Sequence, residues 1–126
     1  MKGIHIKIII SCLMLSSFSI FSCKKDKKNC VKVQYVMPYC PKKGADLVRV
    51  LETNPDATAH TEHGYTTYSM ALLNLPEEFK VRDKVFFVKY DYDADSAKPD
   101  TVFCPAIFGH ENILVVKSVS LTGCDN

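Results

Sequence analysis

The chain has no glycine-rich phosphate loop, no Gly-x-Ser-x-Gly elbow and no two cysteines at C-x-x-C spacing. Those absences remove three common routes to chemistry: phosphate cradling by backbone amides, serine acyl transfer, and compact zinc sites. Also missing is a span of about 20 apolar residues, the length a helix needs to cross a bilayer. The longest apolar run, Ile8 to Phe21, covers 14 residues and is interrupted only by Ser and Cys. No later segment sustains the three-and-four spacing of a surface helix over three turns. A large charge excess is absent too, with 16 basic against 14 acidic residues.

What is present is ordinary for a folded protein: 126 residues, 47% hydrophobic and 24% charged, enough for one domain with a core of its own. The residual basicity sits at the start. Lys2 and Lys7 precede the apolar run, and Lys24-Lys25 follow it, the charged and apolar regions of a secretory signal. Setting aside residues 1–22 removes two of the 16 basic residues and leaves 14 against 14. A neutral domain lacks the basic excess that neutralises phosphates, so no nucleic-acid partner is expected.

Ordinary signal cleavage wants small residues at the last and third-last positions before the cut. A cut after Ser22 would put Ile20 third-last, whereas Ile20-Phe21-Ser22-Cys23 resembles a bacterial lipobox, loosest at Phe21. That resemblance implies that Cys23 is acylated and becomes the first mature residue. A rival cut after Ser19 suits an ordinary peptidase but leaves five cysteines, one of them unpaired. The lipobox reading discards Cys12 with the leader, gives Cys23 to lipid, and keeps Cys30, Cys40, Cys104 and Cys124 as an even set. Multiple acyl chains hold a protein stably on a bilayer. The expected layout is therefore a signal peptide at 1–22, a lipidated charged tether at 23–29 and one domain at 30–126. Lys24 in the second mature position implies, by resemblance to lipoprotein sorting, the outer membrane, lipid-anchored, on its periplasmic side or at the cell surface.

From Val31 on, the pattern is that of strands. Val31, Val33 and Tyr35 share one side, with Lys32 and Gln34 on the other. A second strand is expected near Asp46 to Glu52, and a third from Tyr65 to about Leu73. Residues 53–64, polar and marked by Asn54-Pro55-Asp56, read as an exposed loop. Asn74 to Phe79 reads as one helical turn with Leu75 and Phe79 plugging the core. The longest strand is expected at Lys84 to Asp93, with Phe86, Val88, Tyr90 and Tyr92 facing inward. The last runs from Asn112 to Leu121, with a bulge near Lys117-Ser118 restoring its register. The fold class is all-β: a small disulfide-stapled OB-like barrel of five to six strands.

Asn74 to Lys80, then Val85 to Tyr90, Cys104, and Leu114 to Val119 resemble a group of small, largely uncharacterised Bacteroidota lipoproteins, over about the last two-thirds of the domain. The resemblance implies a compact OB-like barrel and an envelope location, with no activity attached. Four cysteines allow three pairings. Cys40 with Cys104 and Cys30 with Cys124 are preferred, because the latter two bracket the first and last strands, neighbours in a closed barrel.

Three sets of residues are candidates for a site. His60, Glu62 and His63 offer two imidazoles and a carboxylate to a transition metal, and Asp91, Asp93 and Asp95 begin like a calcium loop but lack its glycine and closing Glu. The loops 53–64 and 91–102 together offer a recognition surface. The expected role is a non-enzymatic binding or assembly module without a cofactor, taking an unknown envelope protein or small ligand. A metal-binding lipoprotein is the alternative, and a small hydrolase has the least support.

Overall fold

The computed structural model describes residues 29–101, 103–105 and 108–124. The expected signal peptide, Cys23 and most of the tether lie outside them. Six strands follow in chain order: β1 (Cys30–Pro38), β2 (Ala45–Val50), β3 (Thr58–Glu62), β4 (Tyr65–Leu73), β5 (Val85–Asp91) and β6 (Ile113–Ser120), with a single 3₁₀ turn, η1 (Glu77–Phe79), between β4 and β5. The protein is all-β, one six-stranded sheet with two disulfides. Among the described residues no helix is long and apolar enough to cross a membrane.

The pairings run in a cycle. β1 pairs with β2 and β5, β5 with β6, β6 with β4, and β4 back with β2. All are antiparallel except β4–β6. β3 stands outside this cycle, paired only to the first half of β4.

Alternation along each strand sends one set of side chains into the ring and the other out. Val31, Val33, Tyr35, Val48, Val50, Met70, Leu72, Phe86, Val88, Tyr90 and Leu114 fill the inside. Leu75 enters from the segment before η1, and Phe79 packs on Phe86 with ring centroids 5.1 Å apart, so the expected plug is in place. At one end of β2, β4 and β6 the outward residues are apolar as well. Ala45, Ala71 and Ile113 form a second cluster with Leu47 and Leu73, covered by Tyr39 and Phe108. The segment before β6 thus folds across the outside of the sheet, which is why the connection from β5 to β6 is long.

Several expectations are corrected. Residues 53–64 are not one loop, since Thr58–Glu62 is a strand and His63-Gly64 its hairpin turn, with φ of 49° and 81°. Type I′ hairpins need positive φ at both positions. The longest strands are β1 and β4 at nine residues, while β5 has seven. Tyr92 lies past the end of β5 and is 70% exposed instead of facing the core. The bulge does fall at Lys117: Lys89 pairs with Ser118 and Tyr90 with Val116, so one residue of β6 is skipped.

One core position carries a charge. Asp46 shares the inward face of β2 with Val48 and Val50, and is buried. The Tyr35 hydroxyl donates to its Oδ1 at 3.1 Å. Its Oδ2 has the Lys80 ammonium at 3.5 Å, an ion-pair distance without a hydrogen bond. Burial pushes the carboxyl up from its ordinary value, opposed by Lys80 and Tyr35. Lys80 also reaches Glu77 at 2.7 Å, so the charge pins η1 over this end of the ring.

Candidate functional site

The loops after β2 and β5 meet at a cavity of about 380 Å³, within the usual range for small-ligand pockets. Asp56 lines it from the turn before β3, Tyr92 and Ala97 from the loop after β5, and residues 110–114 from the entry to β6. Asn29, the residue before β1, completes one side. The two loops expected to form a recognition surface therefore converge, together with the segment 110–112, which the sequence reading passed over as a site.

Its best-defined feature is the end of the core side chain Tyr90. The hydroxyl donates to Asp56 Oδ2 at 2.8 Å and accepts from Asn54 Nδ2 at 3.0 Å. Burial, with a further contribution from Asp56, pushes this phenol up to about 12 against the Asn54 bond, which lowers it. Asp56 is fixed on its backbone too. Its N–H donates to Asn54 Oδ1 at 2.8 Å and its carbonyl accepts from Asn112 Nδ2 at 2.8 Å. An Asn-Pro-Asp turn, legible as a turn from sequence, thus becomes a rigid rim tied to both β5 and the entry to β6.

The alkaline limit of stability should report this network. The folded protein holds the Tyr90 proton up to about 12, while an unfolded tyrosine releases it near 10.0. Between those values the unfolded state binds fewer protons, so stability falls as pH rises. The full gap corresponds to about 3 kcal/mol. Tyr35 and Tyr39 are also raised by burial and add loss in the same direction. Urea unfolding at a series of alkaline pH values, with tyrosinate absorbance in parallel, checks this. Tyr90→Phe should flatten the fall, and an unchanged slope would refute the assignment.

Beside the cavity lies a buried carboxylate. The Glu111 side chain is 5% exposed and accepts from Ser69 Oγ at 2.8 Å on both oxygens and from His60 Nε2 at 2.7 Å. Glu111 N–H donates to the Tyr39 hydroxyl at 3.2 Å, which donates to the Gly109 carbonyl at 3.0 Å. A Cβ on Gly109 would stand 3.1 Å from His60 Cε1, so the absence of a side chain there lets the imidazole reach across. Serine and histidine both bond to the carboxylate and have no bond to each other. The order needed to activate a serine through histidine is not the order here.

The candidate metal ligands are not brought together among the described residues. His60 points to Glu111, Glu62 pairs across the hairpin with Tyr65, and His63 occupies the turn. Asp91 pairs with Lys117 at 2.8 Å. Asp93 caps its own turn, accepting from the Asp95 amide and the Ser96 hydroxyl at 3.0 Å each, and the Ser96 bond holds its carboxyl below the ordinary range. Among the described residues no three His, Cys, Asp or Glu side chains are grouped to hold a metal ion.

Two disulfides and a polar tie hold segments that flank these loops. Cys30 is bonded to Cys124 and Cys40 to Cys104, with Cα separations of 5.9 and 5.8 Å. Asp100 accepts from the Lys43 amide at 2.7 Å and Lys42 Nζ at 3.3 Å, tying the loop after β5 to the β1–β2 turn. The Lys43 bond holds the Asp100 carboxyl below its ordinary value. No protein-family model, no curated protein and no solved structure matches this chain, and the reading of its site rests on its own residues.

Proposed function

We propose that the mature chain is a lipid-anchored binding module of a bacterial cell envelope, held on the outer membrane through Cys23 and taking a small ligand between its loops. The observation that carries it is the cavity itself: residues of both expected recognition loops line one space of ligand size around a fixed Tyr90–Asp56 pair. The strand cycle, plugged at one end by Leu75 and Phe79, supports reading the ring as a five-stranded OB-like barrel with β3 added outside it. That reading is in keeping with the resemblance to small Bacteroidota lipoproteins. Fold alone assigns no ligand.

Two measurements test the two halves. Cys23→Ala should move the protein from the membrane to the soluble fraction, and continued membrane retention with no lipid on the protein would sink the anchor. For the binding half, Ala97→Trp fills the cavity from an exposed loop. Native mass spectrometry of purified protein incubated with envelope extract should show a small-molecule adduct on the wild type that this variant loses. An adduct carried equally by both would remove the cavity from the proposal.

A further inference from the structure

We propose that this cavity binds a primary ammonium group, with Asp56 as its acceptor, Tyr92 as an aromatic wall and Ala97 against the attached carbons. The inference rests on the binding reading above and gives it a ligand class.

The lining decides the sign of charge. Asp56 and Glu111 are carboxylates, and among the described residues no Lys or Arg lines the space. From these residues an anionic ligand would meet like charge. The two carboxylates are not equivalent. Glu111 already takes two donors, His60 Nε2 and the single Ser69 hydroxyl proton shared between its oxygens, and its side chain is 5% exposed. Asp56 takes one side-chain hydrogen bond, from Tyr90 to Oδ2. A carboxylate has about four acceptor sites, so Asp56 keeps capacity for a donor approaching through the cavity.

Asp56 is also held still. Tyr90 fixes its carboxylate, while Asn54 and Asn112 fix its backbone on either side. A rigid acceptor loses little freedom when a ligand binds, which favours affinity. Asn112 has given its Nδ2 to the Asp56 carbonyl, and its side-chain oxygen remains an acceptor. An ammonium has three donors in a compact head, suited to an acceptor-rich rim. Tyr92, 70% exposed at the same cavity, can face the cation with its ring. Ala97 offers apolar contact to the attached carbons.

The ammonium could belong to a free amine or to a lipid headgroup. Asn29 lines the cavity, and Cys23 lies six residues before it, a reach of at most about 20 Å when extended. Headgroups of the anchoring bilayer are therefore within range.

The experiment uses the full chain, purified in its membrane-anchored form in mild detergent and followed by amide NMR. Free ethanolamine and n-butylamine are titrated, with glucose and inorganic phosphate as controls. A parallel arm places the protein on vesicles of phosphatidylcholine with and without phosphatidylethanolamine. Saturable shifts at Asn29, Tyr92, His110 and Asn112 with the free amines support the inference and a soluble source. Shifts confined to phosphatidylethanolamine vesicles support it with a lipid source. Asp56→Asn should weaken binding about tenfold or more, since it keeps an acceptor for Tyr90 but removes the charge. Tyr92→Ala, on an exposed side chain, should weaken it several-fold while leaving the melting curve unchanged. Saturation by glucose or phosphate, or no response to any amine, would overturn the inference. In that event the adduct lost in Ala97→Trp still tells whether the cavity binds something else or nothing.

Discussion

Replacing Cys40 and Cys104 together by Ser, with Cys30–Cys124 kept, is expected to lower stability by about 3 kcal/mol. The link spans a sequence separation of 64, and closing so long a loop restricts the unfolded chain strongly. Removing Cys30 and Cys124 instead should cost a similar amount, about 3–4 kcal/mol, because with the inner link kept the outer one still closes the two end segments. A small domain has roughly 5–15 kcal/mol in all, so the first change consumes a large fraction. Its effect should also be local. Cys40 follows Tyr39, whose hydroxyl holds the Gly109 carbonyl and the Glu111 amide, and whose ring meets Phe108 edge-on at 5.7 Å. Releasing Cys104 frees the segment that covers the outer apolar cluster. Urea midpoints measure the loss, and amide exchange should rise around residues 104–110 more than in β1. No measurable loss from either double variant, or exchange unchanged in that segment when Cys40 and Cys104 are replaced, would contradict this.

How far the sequence could be read depended on where the determining partner lay. Val31, Val33 and Tyr35 declared the inner face of β1 by alternation alone, because period two is a local property. Leu75 and Phe79 declared the plug through the Pro76-Glu77-Glu78 turn signal between them. β3 was hidden because a strand held outside the main cycle needs no apolar face. Thr58-Ala59-His60-Thr61-Glu62 is polar and is held by pairing with β4 and by Asn112 at Thr58. Asp46 was hidden for the opposite reason, since a carboxylate on an inward position looks like a solvent residue until Tyr35 and Lys80 are seen beside it.

The site divides the same way. Asn54-Pro55-Asp56 and the acidic segment after β5 were visible as loops, and their convergence follows from strand order. His60 was visible as a candidate ligand, but its partner is Glu111, 51 residues away. Local spacing could not supply that pair. The nearer groups were misleading: Glu62 shares a face of β3 with His60 but stands at the hairpin end opposite Tyr65, and His63 occupies the turn.

Glu111→Ala is expected to cost about 3 kcal/mol. The side chain is nearly fully buried, and its loss strands the Ser69 hydroxyl and one side of the His60 ring where water enters poorly. Each buried donor left without an acceptor costs about 1–3 kcal/mol. The half-exposed His60 recovers part by turning to solvent, which keeps the total near the lower end for two groups. Glu111→Gln keeps the shape and one carbonyl acceptor, but its amide cannot accept from the second donor, so about half that loss is expected. Ser69→Ala should cost least, about 1 kcal/mol, because Glu111 retains His60. Urea unfolding of the three variants gives the order directly. Local exchange adds a second check, since Glu111 carries its bonds at the entry to β6, beside the Asn112–Asp56 contact. Loss at Glu111 should therefore loosen the rim of the cavity before it unfolds the ring. Should Glu111→Ala match the wild type in stability and in exchange at Asn112, the carboxylate would not be the tie between hairpin and cavity described here.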